Sequence, residues 1–417
     1  MEKKQLKVGL LGVGRGMVLW NYCVNGVNAR LVAVCDKSRQ NMEKAKKSIR
    51  DDSVTYYDDF DEFLRHDMDI VFLANYATEH APFAIKAMEA GKDVISEVLP
   101  VQTMAQAVAL IECVEKTGRN YFYAENYCYM DEPFEMKRRY MAGDLGEFEY
   151  GEGEYMHNCE PIWAKITQGN PDHWRNAMSA FYYCTHSVGP LLHITGMRPV
   201  KVVGVEGPFN PRMARMGARA GNMAIEIVTL ENGGLVKSIH GVGPSKNSIW
   251  YSVYGSRGRL ESPRESSFVS KLVYADLDKT EGVSEDNPVS YRPRNPLDQA
   301  SQNSGHNGSD YKCLWNVFSR LSGNTDADTI DVYEAVNMWM VGFFGYLSAM
   351  NNSAAQEIPD LRKKEIRELY RNDHRCTDPA VAGEQLIPSF LGGKIQIAPE
   401  TYENIRAQWE DLSKEET

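Results

Sequence analysis

The sequence predicts an α/β Rossmann domain, that is, a doubly wound parallel sheet, followed by an α+β domain with an open-faced antiparallel sheet. Three observations carry this expectation. Over about the first 125 residues, short apolar runs alternate with stretches of helical length, the rhythm of strand, crossover helix and strand. The first apolar run, Leu6 to Leu11, passes straight into Gly12-Val13-Gly14-Arg15-Gly16. Beyond Tyr129 the rhythm changes to longer strand candidates, two of them joined by Asn232-Gly233, a hairpin dipeptide.

Taken in order, residues 6–11 are the first strand and residues 30–35 the second, closing on Asp36. Residues 41–50 read as a charged helix and 60–64 as a short one. Residues 69–74 read as a third strand, apolar and partly β-branched. A helix over 80–90 stops at Gly91 and leads into a strand over 93–96; a helix over 104–117 stops at Gly118 and leads into a strand over 120–124. The domain boundary is expected near residue 126, giving domains 1–126 and 127–417. In the second, a helix over 132–142 precedes a long strand over 147–156, then polar, Trp-containing loops reach Ala180. Strands are expected at 200–205, 223–230, 235–242 and 248–254. Residues 276–308, rich in Pro, Asn and Ser, read as a long loop near the site or at a subunit contact. Residues 335–350 are apolar but too short to span a bilayer and include Asn337, so a buried helix is expected.

At 417 residues the chain exceeds one ordinary core, and two domains are the natural arrangement. A net charge of −11, with no basic stripe, argues against nucleic acid and anionic membranes and for a small-molecule partner. The eight cysteines are scattered singly, without C-x-x-C, which points to reduced thiols, no metal site and a cytoplasmic protein. Met1-Glu2-Lys3-Lys4 precedes only the first strand, too short an apolar run for a signal peptide.

The glycines after the first strand let the chain turn tightly, so that amides at a helix N-terminus face a pyrophosphate. The third glycine of G-x-G-x-x-G would fall on Met17, so the pattern is imperfect. Asp36, at the end of the second strand, supplies the acidic side chain that accepts hydrogen bonds from ribose hydroxyls. A dinucleotide is therefore expected. NAD is favoured over NADP because a carboxylate repels a 2′-phosphate, a preference that Lys37 and Arg39 weaken.

The glycine turn, Asp36, the run His80 to Lys92, Glu97 and a later His186 together resemble the Gfo/Idh/MocA oxidoreductase family over nearly the whole chain. One departure is informative. Typical dehydrogenases of that family carry Glu-Lys-Pro, whose lysine exchanges the substrate hydroxyl proton, where this chain has Glu97-Val98-Leu99-Pro100. The acidic residue four positions before the histidine is also replaced, by Tyr182. The run Tyr183-Cys184-Thr185-His186-Ser187-Val188-Gly189-Pro190 resembles instead the signature of the NAD-dependent glycosidases of glycoside hydrolase family 109. Glu125-Asn126 with Tyr129, Gly153 to Asn158, Ser304 to Tyr311 and Ile330 to Glu334 resemble further segments of that family, in order.

Such glycosidases depart from the two-carboxylate scheme of glycoside hydrolysis. The resemblance implies transient oxidation of a sugar at C3, proton loss at C2, departure of the C1 substituent, water addition and re-reduction, with tightly bound NAD returned unchanged. These are mostly proton transfers, suited to His and Tyr. The resemblance assigns them to Tyr155, His157, Tyr183 and His186. It places His186 at the oxidised hydroxyl and Tyr183 or Tyr155 at the C2 proton. Tyr155 and His157 share one face of a strand, because the side-chain period is two. Cofactor contacts are implied for Gly12, Gly14, Arg15, Gly16, Asp36, Asn75, His80, Glu97 and Asn126. Trp174-Arg175 could hold a sugar or fill an interface, and His306 with Asp310 could belong to the site or cap a helix. Cys184 reads as a bystander. The same resemblance implies a homodimer or homotetramer. A sugar or polyol dehydrogenase and a non-catalytic NAD-binding sensor remain the alternatives.

Overall fold

The computed structural model describes residues 5–26, 28–264, 272–276, 281–284 and 286–415. Residues 1–4, and positions 277–280 and 285 within the polar stretch, lie outside those described. The chain forms two compact units. The first comprises Met1–Phe134, Arg294–Val336 and Leu361–Asn372; the second comprises Glu135–Pro293, Asn337–Asp360 and Asp373–Thr417.

In the first unit six parallel strands, β1 (Leu6–Leu11), β2 (Ala29–Cys35), β3 (Thr55–Tyr57), β4 (Ile70–Leu73), β5 (Asp93–Ser96) and β6 (Tyr121–Tyr123), lie in the order β3-β2-β1-β4-β5-β6. This is the doubly wound order, in which ligands bind outside the carboxyl ends of the strands. Buried apolar residues fill β1, β2, β4, β5 and β6, as a sheet covered on both faces requires. β3, three residues long and only partly buried, escapes a pattern reading, so the run expected as the third strand is the fourth. The crossover helices begin on side-chain caps where the sequence provides them. Ser38 accepts from the Asn41 amide at the start of Arg39–Ile49, and Thr103 from the Gln106 amide at the start of Met104–Thr117. The later segments bring a helix, Ser309–Leu321, whose Tyr311 and Phe318 rings lie 5.0 and 5.1 Å from Tyr22 of the first helix, Val13–Asn25.

Among the described residues the second unit is built on nine strands: β7 (Phe148–Met156), β8 (Pro199–Glu206), β9 (Ala224–Leu230), β10 (Leu235–Gly241), β11 (Ser248–Gly255), β12 (Gly258–Glu261), β13 (Leu272–Asp276), β14 (Val289–Tyr291) and β15 (Gln356–Glu357). Their order is β14-β13-β12-β11-β7-β10-β9-β8-β15. The expectation of an antiparallel sheet is corrected at one ladder. β10 runs parallel to β7, because about eighty residues, including the helix Thr185–Thr195, cross over between them. The β9–β10 hairpin turns at Asn232-Gly233, where the Asn232 side chain accepts from the Gly234 amide at 2.9 Å.

Thr185–Thr195 is buried at every position and lies across β7 and β10. At Gly153, in mid β7, a Cβ would come within 1.9 Å of the Ser187 carbonyl oxygen, so only glycine lets the helix sit this close. The helix containing residues 335–350 is Val332–Met350 and is largely buried. Among the described residues no helix is long and apolar enough to cross a membrane.

Candidate active site

In the first unit the turn after β1 is shaped by its glycines. Gly12 has φ +91°, and a Cβ there would meet the Ala74 carbonyl oxygen at 2.5 Å. At Gly16 a Cβ would strike Leu10 at 2.4 Å, so this residue lets helix Val13–Asn25 pack against the sheet, as the third glycine of such turns does. Gly14 has no neighbour within 4 Å of a Cβ, leaving open space above the turn. The helix has no side-chain cap, and its dipole favours an anion there.

Asp36, nearly buried, ties β2 to this turn. Its Oδ2 accepts from the Val13 amide at 2.9 Å and its Oδ1 from the Ser38 amide at 2.7 Å. Lys37 is engaged elsewhere, on Glu79 at 3.1 Å and over the Tyr76 ring. After β4, Asn75 donates to Glu79 at 3.2 Å while its Oδ1 is buried without a partner. The open space over Gly14, the uncapped helix terminus and this unpartnered acceptor are features that a bound dinucleotide would complete, so the residues fit the cofactor.

His80, expected among the cofactor contacts, is fixed by two main-chain carbonyls. It is buried, with Nδ1 2.8 Å from the Leu99 carbonyl oxygen and Nε2 3.2 Å from that of Asn75. Burial pushes its pKa down to about 4, and the ring sits between the two carbonyls, bracing the loops after β4 and β5. Val98, buried beside Glu97, offers no proton donor.

Arg15 does not extend toward open space either. Its Nε donates to Glu97 at 2.8 Å, and its two terminal nitrogens grip Asp310 at 2.8 and 2.6 Å. Asp310 also accepts from Asn126 at 2.8 Å and faces His306 Nδ1 at 2.9 Å. Despite burial, these partners hold its carboxyl well below the usual range. Arg15 and Asn126 are thus joined through an aspartate that sequence reasoning left undecided, and Glu97 is joined to them through Arg15. The clue was present in the segment Ser304 to Tyr311, but a contact spanning 295 residues is not readable from spacing.

In the second unit the four expected proton-transfer residues gather. Tyr155 and His157 project from β7 and its end, with the Tyr155 hydroxyl 2.8 Å from His157 Nδ1. Tyr183 ends the turn Ala180–Tyr183, and His186 lies in the first turn of the buried helix, its carbonyl accepting from the Tyr251 hydroxyl at 2.5 Å. The His186 ring stands edge-on to Tyr155 at 4.7 Å and to Tyr183 at 5.2 Å. Arg175 lies 5.1 Å from the Tyr183 ring and 4.6 Å from that of Trp174. Burial disfavours its charge, yet the Tyr183 contacts raise its pKa. Tyr155, Arg175 and Tyr183 line one small pocket with Met178, Met213 and Gly221. Arg175 therefore belongs with the cluster. Cys184 is fully buried, its thiol 3.3 Å from the Met338 carbonyl oxygen.

Residues 6–125 match the oxidoreductase family with an NAD-binding Rossmann fold, and residues 206–368 match the C-terminal domain of glycosyl hydrolase family 109. Glycosyl hydrolase family 109 protein 3 of Phocaeicola vulgatus is 25% identical, across 95% of this chain and 81% of its own length. Glycosyl hydrolase family 109 protein 1 of Bacteroides thetaiotaomicron is 25% identical, across 86% of this chain and 85% of its own. Among solved structures, a levoglucosan dehydrogenase complexed with NADH superposes with a TM-score of 0.70 at 15% identity, covering 86% of this chain and all of that one. The myo-inositol 2-dehydrogenase of Lactobacillus plantarum superposes with a TM-score of 0.65 at 17% identity, covering 85% of this chain and all of that one. The chain thus joins the NAD-binding Rossmann domain of the Gfo/Idh/MocA oxidoreductase family to a glycosyl hydrolase 109 C-terminal domain.

Proposed function

We propose that the protein is a glycosidase that cleaves a sugar from its aglycone by transient oxidation, with tightly retained NAD restored in every cycle. The observation that carries this reading is the cluster of Tyr155, His157, Tyr183 and His186, in which two phenols and an imidazole share ring contacts and a second imidazole holds a phenol hydroxyl. The aliphatic Val98 at the position where the related dehydrogenases carry a lysine, and the family 109 relatives, support it.

NAD, when bound, supplies a hydride acceptor and, later, a hydride donor. Gly12, Gly14, Gly16, Asp36, Asn75, Glu97 and Asn126 would hold it, with Arg15 bracing the turn and His80 the neighbouring loops. His186 takes the proton of the sugar hydroxyl that is oxidised, at C3. The ketone acidifies the adjacent C2–H, whose proton passes to Tyr183 or Tyr155. His157, on the Tyr155 hydroxyl, orients that phenol. The C1 substituent then leaves, water adds to the enone, and the proton movements reverse. Arg175 and Trp174 bind the sugar. A second reading, an NAD-dependent sugar or polyol dehydrogenase, is favoured by the fold of levoglucosan dehydrogenase and myo-inositol 2-dehydrogenase.

One experiment separates the two. The purified protein is incubated with a panel of aryl glycosides and free sugars in deuterated water, following aglycone release and the absorbance of reduced cofactor. Aglycone release with deuterium at C2 and no accumulating NADH is the expected result. Stoichiometric NADH from free sugars, without aglycone release, would replace the first reading by the second.

A further inference from the structure

The polar network at the carboxyl edge of the six-stranded sheet, all of it within the first unit, contains one side chain that the cradle does not use. Asp310 is its hub. Oδ1 accepts from Arg15 at 2.6 Å and from Asn126 at 2.8 Å, while Oδ2 accepts from Arg15 at 2.8 Å and faces His306 Nδ1 at 2.9 Å. A carboxylate offers about four acceptor sites, and each here has its neighbour. Asp310 has nothing left for a ligand. Arg15 likewise spends its charge on Asp310 and, at 2.8 Å, on Glu97. The side chain of His306, by contrast, is 41% exposed, against 1% for Asp310 behind it.

The chemistry of the ring follows from its partner. The Asp310 carboxylate, held ionised by Arg15 and Asn126, can only accept hydrogen bonds, so Nδ1 of His306 carries the hydrogen. The neutral ring then keeps a lone pair on Nε2. Such an acceptor suits a hydroxyl or amide donor and not a diphosphate, which has only acceptors to give.

The surrounding backbone is shaped to present this ring. His306 and Asn307 both adopt left-handed conformations, φ 52° and 55°, and Gly308 continues at 88°. Side chains rarely tolerate that region, and such residues cluster at functional sites. At Gly305 a Cβ would lie 2.4 Å from Asp310 Oδ2, so the carboxylate occupies space that only glycine leaves. Helix capping does not explain the pair, because helix Ser309–Leu321 starts on Gly308 without a side-chain cap.

The order of the strands selects the ligand. They run β3-β2-β1-β4-β5-β6, and a dinucleotide lies across the switch point between β1 and β4. Asp36 closes β2, on the side expected to hold the adenosine ribose. Glu97 follows β5 and Asn126 follows β6, so His306 is tied to the opposite side, where the nicotinamide riboside falls. That half of NAD carries the donors, its ribose hydroxyls and its carboxamide NH2.

We propose that His306 is a cofactor-binding residue whose Nε2 accepts a hydrogen bond from a donor on the nicotinamide riboside, with Asp310 as its positioning residue. The assignment rests on NAD binding and is independent of how a sugar is cleaved. It supplies part of the tight retention that the proposed cycle requires.

The test is calorimetric titration of the full chain, freed of nucleotide, with NAD, ADP-ribose and ADP. His306→Ala removes the ring. His306→Asn keeps a donor at the Nδ1 position for Asp310, tolerates the left-handed backbone and lacks the Nε2 acceptor. Both variants should bind NAD about 3- to 10-fold more weakly than wild type, the worth of one hydrogen bond, and ADP equally well. ADP-ribose weakened in parallel identifies a ribose hydroxyl as the donor; NAD weakened alone identifies the carboxamide. Nitrogen-15 NMR of the wild type should find the neutral His306 ring protonated at Nδ1, and a mixture of tautomers in Asp310→Asn. Wild-type NAD affinity in His306→Asn would show that the imidazole serves only Asp310 and overturns the assignment. An equal loss for ADP, or a wild-type ring protonated at Nε2, overturns it too. Absence of NAD binding by the wild type removes it together with the cradle.

Discussion

At the scale of single residues, Gly14 and Gly16 separate two demands that a glycine-rich turn usually blends. A Cβ at Gly14 meets nothing in the protein, whereas at Gly16 it meets Leu10 and Ala74. Gly14→Ala should therefore leave thermal stability unchanged or raise it by about 0.5–1 kcal/mol, since alanine favours a helix, yet weaken NAD binding. Gly16→Val should destabilise by about 1–3 kcal/mol through overpacking, visible in denaturant unfolding even without cofactor. If Gly14→Ala binds NAD as tightly as the wild type, the space above the turn is not the cradle. For the second unit, His186→Ala should lower turnover at least about 100-fold while calorimetry finds NAD affinity unchanged. Wild-type activity in that variant would refute its role. These residues were legible because local chemistry selects them. Asp310 was named but left undecided, since its meaning lies in Arg15 and Asn126, and nothing about its own neighbours in sequence reveals them.

At the scale of elements, strand ends are where charge is placed. Glu206 closes β8 and accepts from the Leu391 amide at 2.8 Å, yet burial pushes its carboxyl up to about 7. Its pKa is higher folded than unfolded, so the folded state holds the proton more tightly. The stability this contributes is complete below about pH 4.5 and is lost as pH rises toward and through 7. Glu206→Gln keeps an acceptor for the amide and removes the charge. It should raise the melting temperature at pH 8 relative to wild type and narrow that difference at pH 5; equal differences at both pH values would show that the carboxyl does not titrate this way. Element by element, the sequence reading succeeded where a period is long enough to see, as in Met104–Thr117 or Phe148–Met156. It failed for β3, with three residues, and for the parallel ladder of β7 and β10, because strand direction depends on a crossover that no local pattern records.

At the scale of the whole molecule, the two units draw on interleaved stretches of chain, and the residues proposed to hold the cofactor all belong to the first. NAD binding should therefore stabilise that unit by about 2.7 kcal/mol at a hundredfold excess over Kd, as for any ligand that binds only the folded state. Hydrogen exchange should show the protection concentrated in β1, β2, β4 and β5. Protection confined to the second unit would contradict the assignment. The arginine at the glycine turn carries a further consequence, for the order of events during synthesis. Arg15 and Asn126 leave the ribosome long before the aspartate that pairs with both, Asn126 by 184 residues. At about 5–20 residues per second of synthesis that interval is roughly 10–40 s, during which β1 to β6 can pair while the turn still lacks its brace. The turn expected to cradle the nucleotide thus gains its brace only after about three quarters of the chain has been made.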